Sequence, residues 1–460
     1  MTVALAVAGS VMQTPDRETF EHLVDVVVAV DPDGVIMKIE PQSTDAGQVL
    51  MDVAATVVHL AEGEVLLPGL VDLHIHAPQW PQLGTCLDIP LEQWLFEYTF
   101  PLEARYADPA FAAKVWPDLV GSMLRHGTTT AVYFVTNDES ATVALAAECL
   151  RQGQRAFVGR VAMDHPTGTP PWYRDEHAFA GIDASARSIN AIRALDAGRD
   201  LVRPIITPRF TPACTDDLLA GLGELAADTN VAVQTHCSES DWAHAGALER
   251  FWITDTAALD MFGLLRPGSI LAHANHITDA DADLIKRRGV GVAHCPLSNS
   301  YFADGVLPTR RLLDRGVRIG LGSDVAGGAS PGVLGQCQHA VTTSRMLESG
   351  VDVTRASGER GVPDSRIDIT TAFWMATVGG AQALGLPVGL IEVGRRFDAF
   401  VIATDGGPSR GTDLHVWPDL DGPGAVFEKI VRLARPTDIT STWVNGHRAT
   451  VEEGKPWANR

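Results

Sequence analysis

The chain has 460 residues, 45% of them apolar and 20% charged, the balance of a globular protein that buries a sizeable core. Its formal net charge of −21 argues against nucleic acid or an anionic membrane surface as a partner and favours a small neutral ligand. Six scattered cysteines without a Cys-x-x-Cys spacing read as reduced thiols. Reduced thiols lead to the expectation of a cytoplasmic protein, and no stretch reaches the roughly 20 continuous apolar residues of a membrane span.

In chain order, Thr2–Gly9 is apolar but has no Lys or Arg before it, so it reads as an edge of a small β-domain rather than a signal peptide. Residues 1–66 continue as short strands. Val26–Val30 and Val35–Ile39 are β-branched runs around an Asp31-Pro32-Asp33-Gly34 turn, which is a hairpin signal. From 67 to 385 strands alternate with helices. Asp108-Pro109 offers a cap and a first-turn proline, and Thr278-Asp279-Ala280-Asp281 opens another helix running toward Lys286. Ser349–Ser365, rich in Gly and polar residues, reads as a surface loop or an inter-subunit excursion. Residues 386–460 return to strand-and-turn texture at Phe397–Ile402 and Ser441–His447. The two ends are expected to pair into one small β-sandwich domain.

The chemistry concentrates at strand ends. Pro68-Gly69-Leu70-Val71-Asp72-Leu73-His74-Ile75-His76 is an apolar β-forming run that closes on two histidines. Alternation along a strand projects His74 and His76 to one side, close enough to share a metal ion. Asn230–Thr235 is a strand pattern ending on His236, Gly268–Ala272 ends on His273, and Val317–Ser323 ends on Asp324. Polar residues at the C-terminal ends of repeated strand–helix units point to an α/β fold, a (β/α)8 TIM-type barrel with its active site on that face. His74, His76, His236 and Asp324 around one divalent cation leave room for a water.

These residues carry a resemblance to the amidohydrolase superfamily, and within it to the guanine deaminase family. The resemblance rests on His76-Ala77-Pro78-Gln79-Trp80, Leu91–Glu103 with its Tyr98-Thr99-Phe100-Pro101, and His126–Ala131. It continues through Pro204–Phe210, Thr235–Glu239, Ala293–Asn299 and Gly320–Gly328, and so covers nearly the whole chain. Pro78 stands where the family often has serine, and Asp164–Arg174 is proline-rich. The resemblance implies hydrolytic deamination of guanine to xanthine and ammonia, and a homodimer. It makes Glu239 the proton shuttle, where the residues alone leave a solvated carboxylate in a helix first turn equally open. Asp324 can serve as ligand and base, and His273 as a catalytic group rather than a ligand.

A neutral purine must be read by its edges and faces. Arg209 supplies paired planar donors for a carbonyl, and Gln79 offers a donor and an acceptor. Phe210 and Trp94 could pack on the ring, with His236 and Glu239 beside it. Cys237 reads as structural, and His276 and His294 as structural or as supports behind the residues of the site. No lysine lies between Lys114 and Lys286, so the carboxylated lysine that bridges two metals in many superfamily members has no counterpart there. One metal per chain follows, zinc or alternatively iron. A deaminase of a related ring (another oxopurine, a pterin or an s-triazine) and a non-catalytic scaffold are the competing expectations.

Overall fold

The computed structural model describes residues 2–303, 305–406 and 411–449. Its N-terminal strands form a mixed sheet with strands from the far end of the chain. Along that sheet lie His447–Arg448, Ile439–Val444, Ala399–Ala403, Glu64–Pro68, Val3–Gln13, Glu21–Val30 and Ile36–Pro41, with Ala54–His59 also paired to Val3–Gln13. The expectation that Thr2–Gly9 forms an edge is corrected. Val3–Gln13 pairs with Glu21–Val30 on one side and with Ala54–His59 and Glu64–Pro68 on the other. An apolar strand of this length is stable there because both neighbours satisfy its backbone groups and both faces are covered. Leu5, Val7, Val28 and Leu66 pack with Phe397, Val401 and Trp443. Ala6, Ala8, Val27 and Ala29 pack with Leu50 of the helix Asp45–Val53.

The predicted hairpin turn is present. The Asp31 carboxylate accepts from the amides of Asp33 and Val35, and Gly34 takes the left-handed conformation at φ 81° that suits a residue without Cβ. Leu66 pairs antiparallel with Val401, which joins the two chain ends.

Between them, parallel strands alternate with helices. Leu70–His76, Thr128–Phe134, Arg155–Gly159 and Val202–Pro204 form one parallel run; Gln234–Cys237, Ile270–His273, Gly291–His294 and Arg318–Leu321 form another. The runs are linked at Ile206, whose amide donates to Ala232 O and whose carbonyl accepts from Gln234 N, both at 2.9 Å. At the other side Asp324 N donates to His74 O and His76 N to Val325 O, also at 2.9 Å. Burial on both faces explains why these strands read as continuous apolar runs. Three strands start later than the sequence suggests. Asn230 is the left-handed cap of the helix Asp216–Thr229, Gly268 sits in a turn at φ 80°, and Val317 precedes its strand.

Both proposed helix starts hold. Asp108 caps Pro109–Arg125 through the Ala110 amide, and Thr278 with Asp281 forms a capping box on Asp279–Arg288. The parallel unit is tied to the mixed sheet by a buried fork of Arg155 onto Asp398, at 3.0 and 3.1 Å. Among the described residues no helix is long and apolar enough to cross a membrane.

Candidate active site

The C-terminal ends of the strands converge. His74 and His76 leave Leu70–His76 on one side, with ring centroids 4.9 Å apart. His76 Nε2 lies 2.9 Å from His236 Nε2, and His74 Nε2 lies 3.1 Å from Asp324 Oδ1. His273 Nε2 is 3.6 Å from Glu239 Oε1 and 3.9 Å from Asp324 Oδ2. All six side chains are buried. Three overlapping sets could each hold a metal ion: His74 with His76 and His236, His74 with His273 and Asp324, and His236 with Glu239 and His273.

The donor chemistry fits a cation. His236 Nδ1 faces the Arg209 carbonyl at 2.5 Å. A carbonyl only accepts, so this nitrogen carries the proton and Nε2 keeps its lone pair, pointed at a second imidazole nitrogen. His74 Nε2 is buried and meets only the Asp324 carboxylate, at 3.1 Å. Burial holds His74 below the usual imidazole range and His76 and His236 well below it, which favours neutral rings able to act as ligands. Burial alone would raise the Asp324 carboxyl, but the adjoining His74 and His273 bring it down to about 2.

The local backbone is shaped for this convergence. Ser238, His273, Ala274 and Asp324 all take positive φ, between 44° and 69°, where the chain turns off the strand ends. Such conformations are held by their surroundings at a cost and concentrate at functional sites. A Cβ on Gly322 would lie 2.8 Å from Cys295 Sγ and 2.9 Å from His74 Cβ, so only glycine lets His74 sit where it does. Asp72, on the same face as His74, accepts from the amides of His74 at 3.2 Å and Ser323 at 2.9 Å. It thereby fixes the spacing of the two strands, and burial pushes its carboxyl up to about 7.

Beside the cluster is a pocket lined by Gln79, Trp94, Arg209, Phe210, Glu239 and Phe302, among others. Arg209 is fully buried and gives two parallel bonds to Glu103, at 2.6 and 3.1 Å. Glu103 also accepts from Gln79 Nε2 at 2.9 Å and from the Tyr173 hydroxyl at 3.0 Å. The Gln79 amide is fixed at its other end, where Oε1 accepts from Ala326 N at 3.1 Å. One buried carboxylate therefore orients Arg209 and Gln79 together. The Phe210 ring lies 6.1 Å from that of His236, and Trp94 lies 5.2 Å from Phe302. Trp94 and Glu103 sit on one helical segment, with a π-turn at Leu95–Thr99 between them.

His74, His76, His236, Glu239, His273 and Asp324 gather in the cluster, and Gln79, Trp94, Arg209 and Phe210 line the pocket beside it. Glu239 lies before the helix cap Ser240, buried rather than in a solvated first turn, and burial raises its carboxyl. Cys237 turns away, with Sγ 3.4 Å from Thr256 Oγ1. His276 bonds the Ala303 carbonyl at 3.1 Å, and His294 is buried. Sequence reasoning missed the roles of Glu103, Asp72 and Tyr173. Asp72 could have been found, because Asp-x-His-x-His alternation places it on the ligand face. Tyr173 arrives from the proline-rich stretch and carries no such pattern.

Residues 65–449 match the amidohydrolase family. A probable guanine deaminase of Schizosaccharomyces pombe is 38% identical over 399 residues, covering 85% of this chain and 72% of its own length. The guanine deaminase of Dictyostelium discoideum is 31% identical over 461 residues, covering 96% and 97%. Among solved structures, a guanine deaminase from C. acetobutylicum with guanine bound in its active site superposes with a TM-score of 0.85 at 28% identity, over 97% of this chain and 99% of that one. A zinc-bound adenosine deaminase from Xanthomonas campestris gives 0.79 at 25% identity, over 97% and 93%.

Proposed function

The chain belongs to the amidohydrolase family and, within it, to the guanine deaminases, and on that premise we propose that it hydrolyses guanine to xanthine and ammonia at the histidine–carboxylate cluster. One observation carries the reading: the convergent donors His74, His76, His236 and Asp324 open onto the pocket where Glu103 holds Arg209 and Gln79. A neutral bicyclic base with a ring carbonyl suits that combination of planar donors and aromatic walls.

His74, His76, His236 and Asp324 would hold one divalent cation per chain, a donor set that suits zinc, with iron as the alternative. A divalent cation bound there lowers the pKa of a water toward about 7. Asp324 takes the water's first proton. Glu239 takes the second and passes it to the ring nitrogen beside the attacked carbon, and the proton held on Asp324 is handed to the departing amine; the water's oxygen bonds to that carbon, the carbon–nitrogen bond breaks, ammonia leaves and both carboxylates are restored. His273 holds the water by a hydrogen bond. Arg209, whose two facing Nη hydrogens are committed to Glu103, takes the purine carbonyl with one remaining N–H, and Gln79 reads the adjoining edge. Phe210 and Trp94 pack against the ring, next to His236.

Around this site we read residues 67–385 as a closed (β/α)8 barrel, which the return of hydrogen bonds from Asp324 and Val325 to Leu70–His76 supports. Residues 1–66 and 386–460 make its β-sandwich partner, and the assembly is a cytoplasmic homodimer. Ammonia release measured across guanine, other oxopurines, a pterin and s-triazines tests the substrate. Release foremost from guanine is expected, and release only from another ring overturns the reading.

A further inference from the structure

One hydrogen-bonded chain near the cluster has no part in binding the substrate or in the ligand set. His273 Nδ1 is 2.9 Å from Asn299 Oδ1, Asn299 Nδ2 is 2.8 Å from Asn275 Oδ1, and Asn275 Nδ2 is 2.9 Å from the Glu239 carbonyl oxygen. It crosses from the turn after Ile270–His273, through the helix Pro296–Phe302, to the turn that carries Glu239.

We propose that Asn299 and Asn275 are positioning residues that fix the tautomer of His273 and the placement of Glu239 in one stroke. The direction of each hydrogen bond in the chain is fixed from its far end. A backbone carbonyl only accepts, so the Asn275 atom facing Glu239 O must be its amide nitrogen. Its oxygen then faces Asn299 and must receive Nδ2–H. Asn299 in turn presents only its oxygen to His273, so His273 Nδ1 must carry the proton. In the neutral ring Nε2 is therefore a bare lone pair. That nitrogen is buried, has no hydrogen-bond partner, and faces Glu239 Oε1 and Asp324 Oδ2 at 3.6 and 3.9 Å. A group placed against the neutral ring there must donate an O–H or N–H. The relay thus sets which His273 nitrogen faces the shuttle without its Nδ1 proton, and keeps the shuttle's backbone in register with it. The catalytic consequence rests on the deaminase reading above, but the tautomer does not.

The test begins with the full chain labelled with 15N-histidine, free of metal and substrate. The His273 signals are identified by their loss in His273→Asn. The wild type is expected to show His273 protonated on Nδ1; protonation on Nε2 overturns the proposal whatever the enzyme's activity. Asn299→Leu should convert His273 to a mixed or Nε2-protonated ring. Asn299→Asp, which can still accept from Nδ1–H, should restore the wild-type tautomer. Asn275→Asp should leave the tautomer unchanged while releasing Glu239. With guanine and zinc, Asn299→Leu and Asn275→Asp should each lower kcat by about 10–100-fold, with zinc content kept and KM changed less than threefold. An unchanged kcat and an unchanged His273 signal in Asn299→Leu also overturn it. If that variant fails to fold, the wild-type spectrum and Asn275→Asp still decide.

Discussion

Glu103 holds Arg209 through two nearly parallel hydrogen bonds, 2.6 and 3.1 Å long, with neither side chain reaching solvent. The pair makes recognition and folding inseparable at this point, because a lone buried charge on either side is unsustainable. Removing only the carboxylate charge, in Glu103→Gln, leaves the guanidinium unpaired and should cost about 3–5 kcal/mol of stability. Urea unfolding checks this. Arg209→Ala should raise the KM for guanine and also lower stability, and Arg209→Lys should recover little of either, since an ammonium cannot reproduce the fork. A KM unchanged in Arg209→Ala removes Arg209 from substrate recognition and leaves it a structural partner of Glu103.

Glu239 is where the proposed proton path is most exposed. Glu239→Gln keeps the size and one amide hydrogen bond but cannot exchange a proton. Metal content and guanine binding should stay near normal while kcat falls by about two orders of magnitude or more. Rapid-mixing kinetics beside elemental analysis separate these quantities. Turnover within a few-fold of the parent places the proton path on Asp324 or His273.

Gly322 gives a test of geometry with no polar group changed. An alanine Cβ there would meet Cys295 Sγ at 2.8 Å and His74 Cβ at 2.9 Å, so His74 must shift. Gly322→Ala should fold yet bind zinc about 10–100-fold more weakly, the scale on which displaced support of a ligand acts. Competition with a chelator measures it, and wild-type affinity would show that the strand yields without moving His74.

Burial holds the His294 imidazole at about 3 in the folded chain, against about 6.5 when unfolded. Between those values the unfolded chain binds a proton that the folded chain refuses, so the folded state is favoured fully above pH 6.5 and loses this contribution as pH falls toward 3. The lowered imidazoles of His74, His76 and His236 act in the same direction. Stability should therefore decline steeply from pH 6.5 to pH 4. His294→Asn should flatten that decline by up to one proton, about 1.4 kcal/mol per pH unit. Denaturant melts at pH 5 and pH 7 check the difference.

The proposed ligand set is legible in the sequence because it obeys local rules. Strand alternation puts His74 and His76 on one face, and strand patterns end at His236, His273 and Asp324. What escapes the sequence is pairing at a distance. Glu103 meets Arg209 across 106 positions, and the loop containing Tyr173 reaches the same carboxylate with no periodicity to announce it. Strand starts were misplaced for a different reason. Asn230 and Gly268 precede apolar residues but sit at positive φ, so helix capping and turn geometry delay the strands by two to four residues. The first strand looked peripheral because its sequence position is terminal, whereas its neighbours come from elsewhere in the sheet.

The most direct measurement of the central claim follows guanine disappearance, xanthine formation and ammonia release together, on protein stripped with a chelator and reloaded with measured zinc or iron. The account predicts no turnover in the stripped chain and recovery that saturates at one metal per chain, with xanthine and ammonia formed one for one. It also predicts that His74→Ala, His76→Ala and His236→Ala bind no metal and form no xanthine. Two tightly bound metals per chain, or a fully metallated protein that leaves guanine intact, would contradict it.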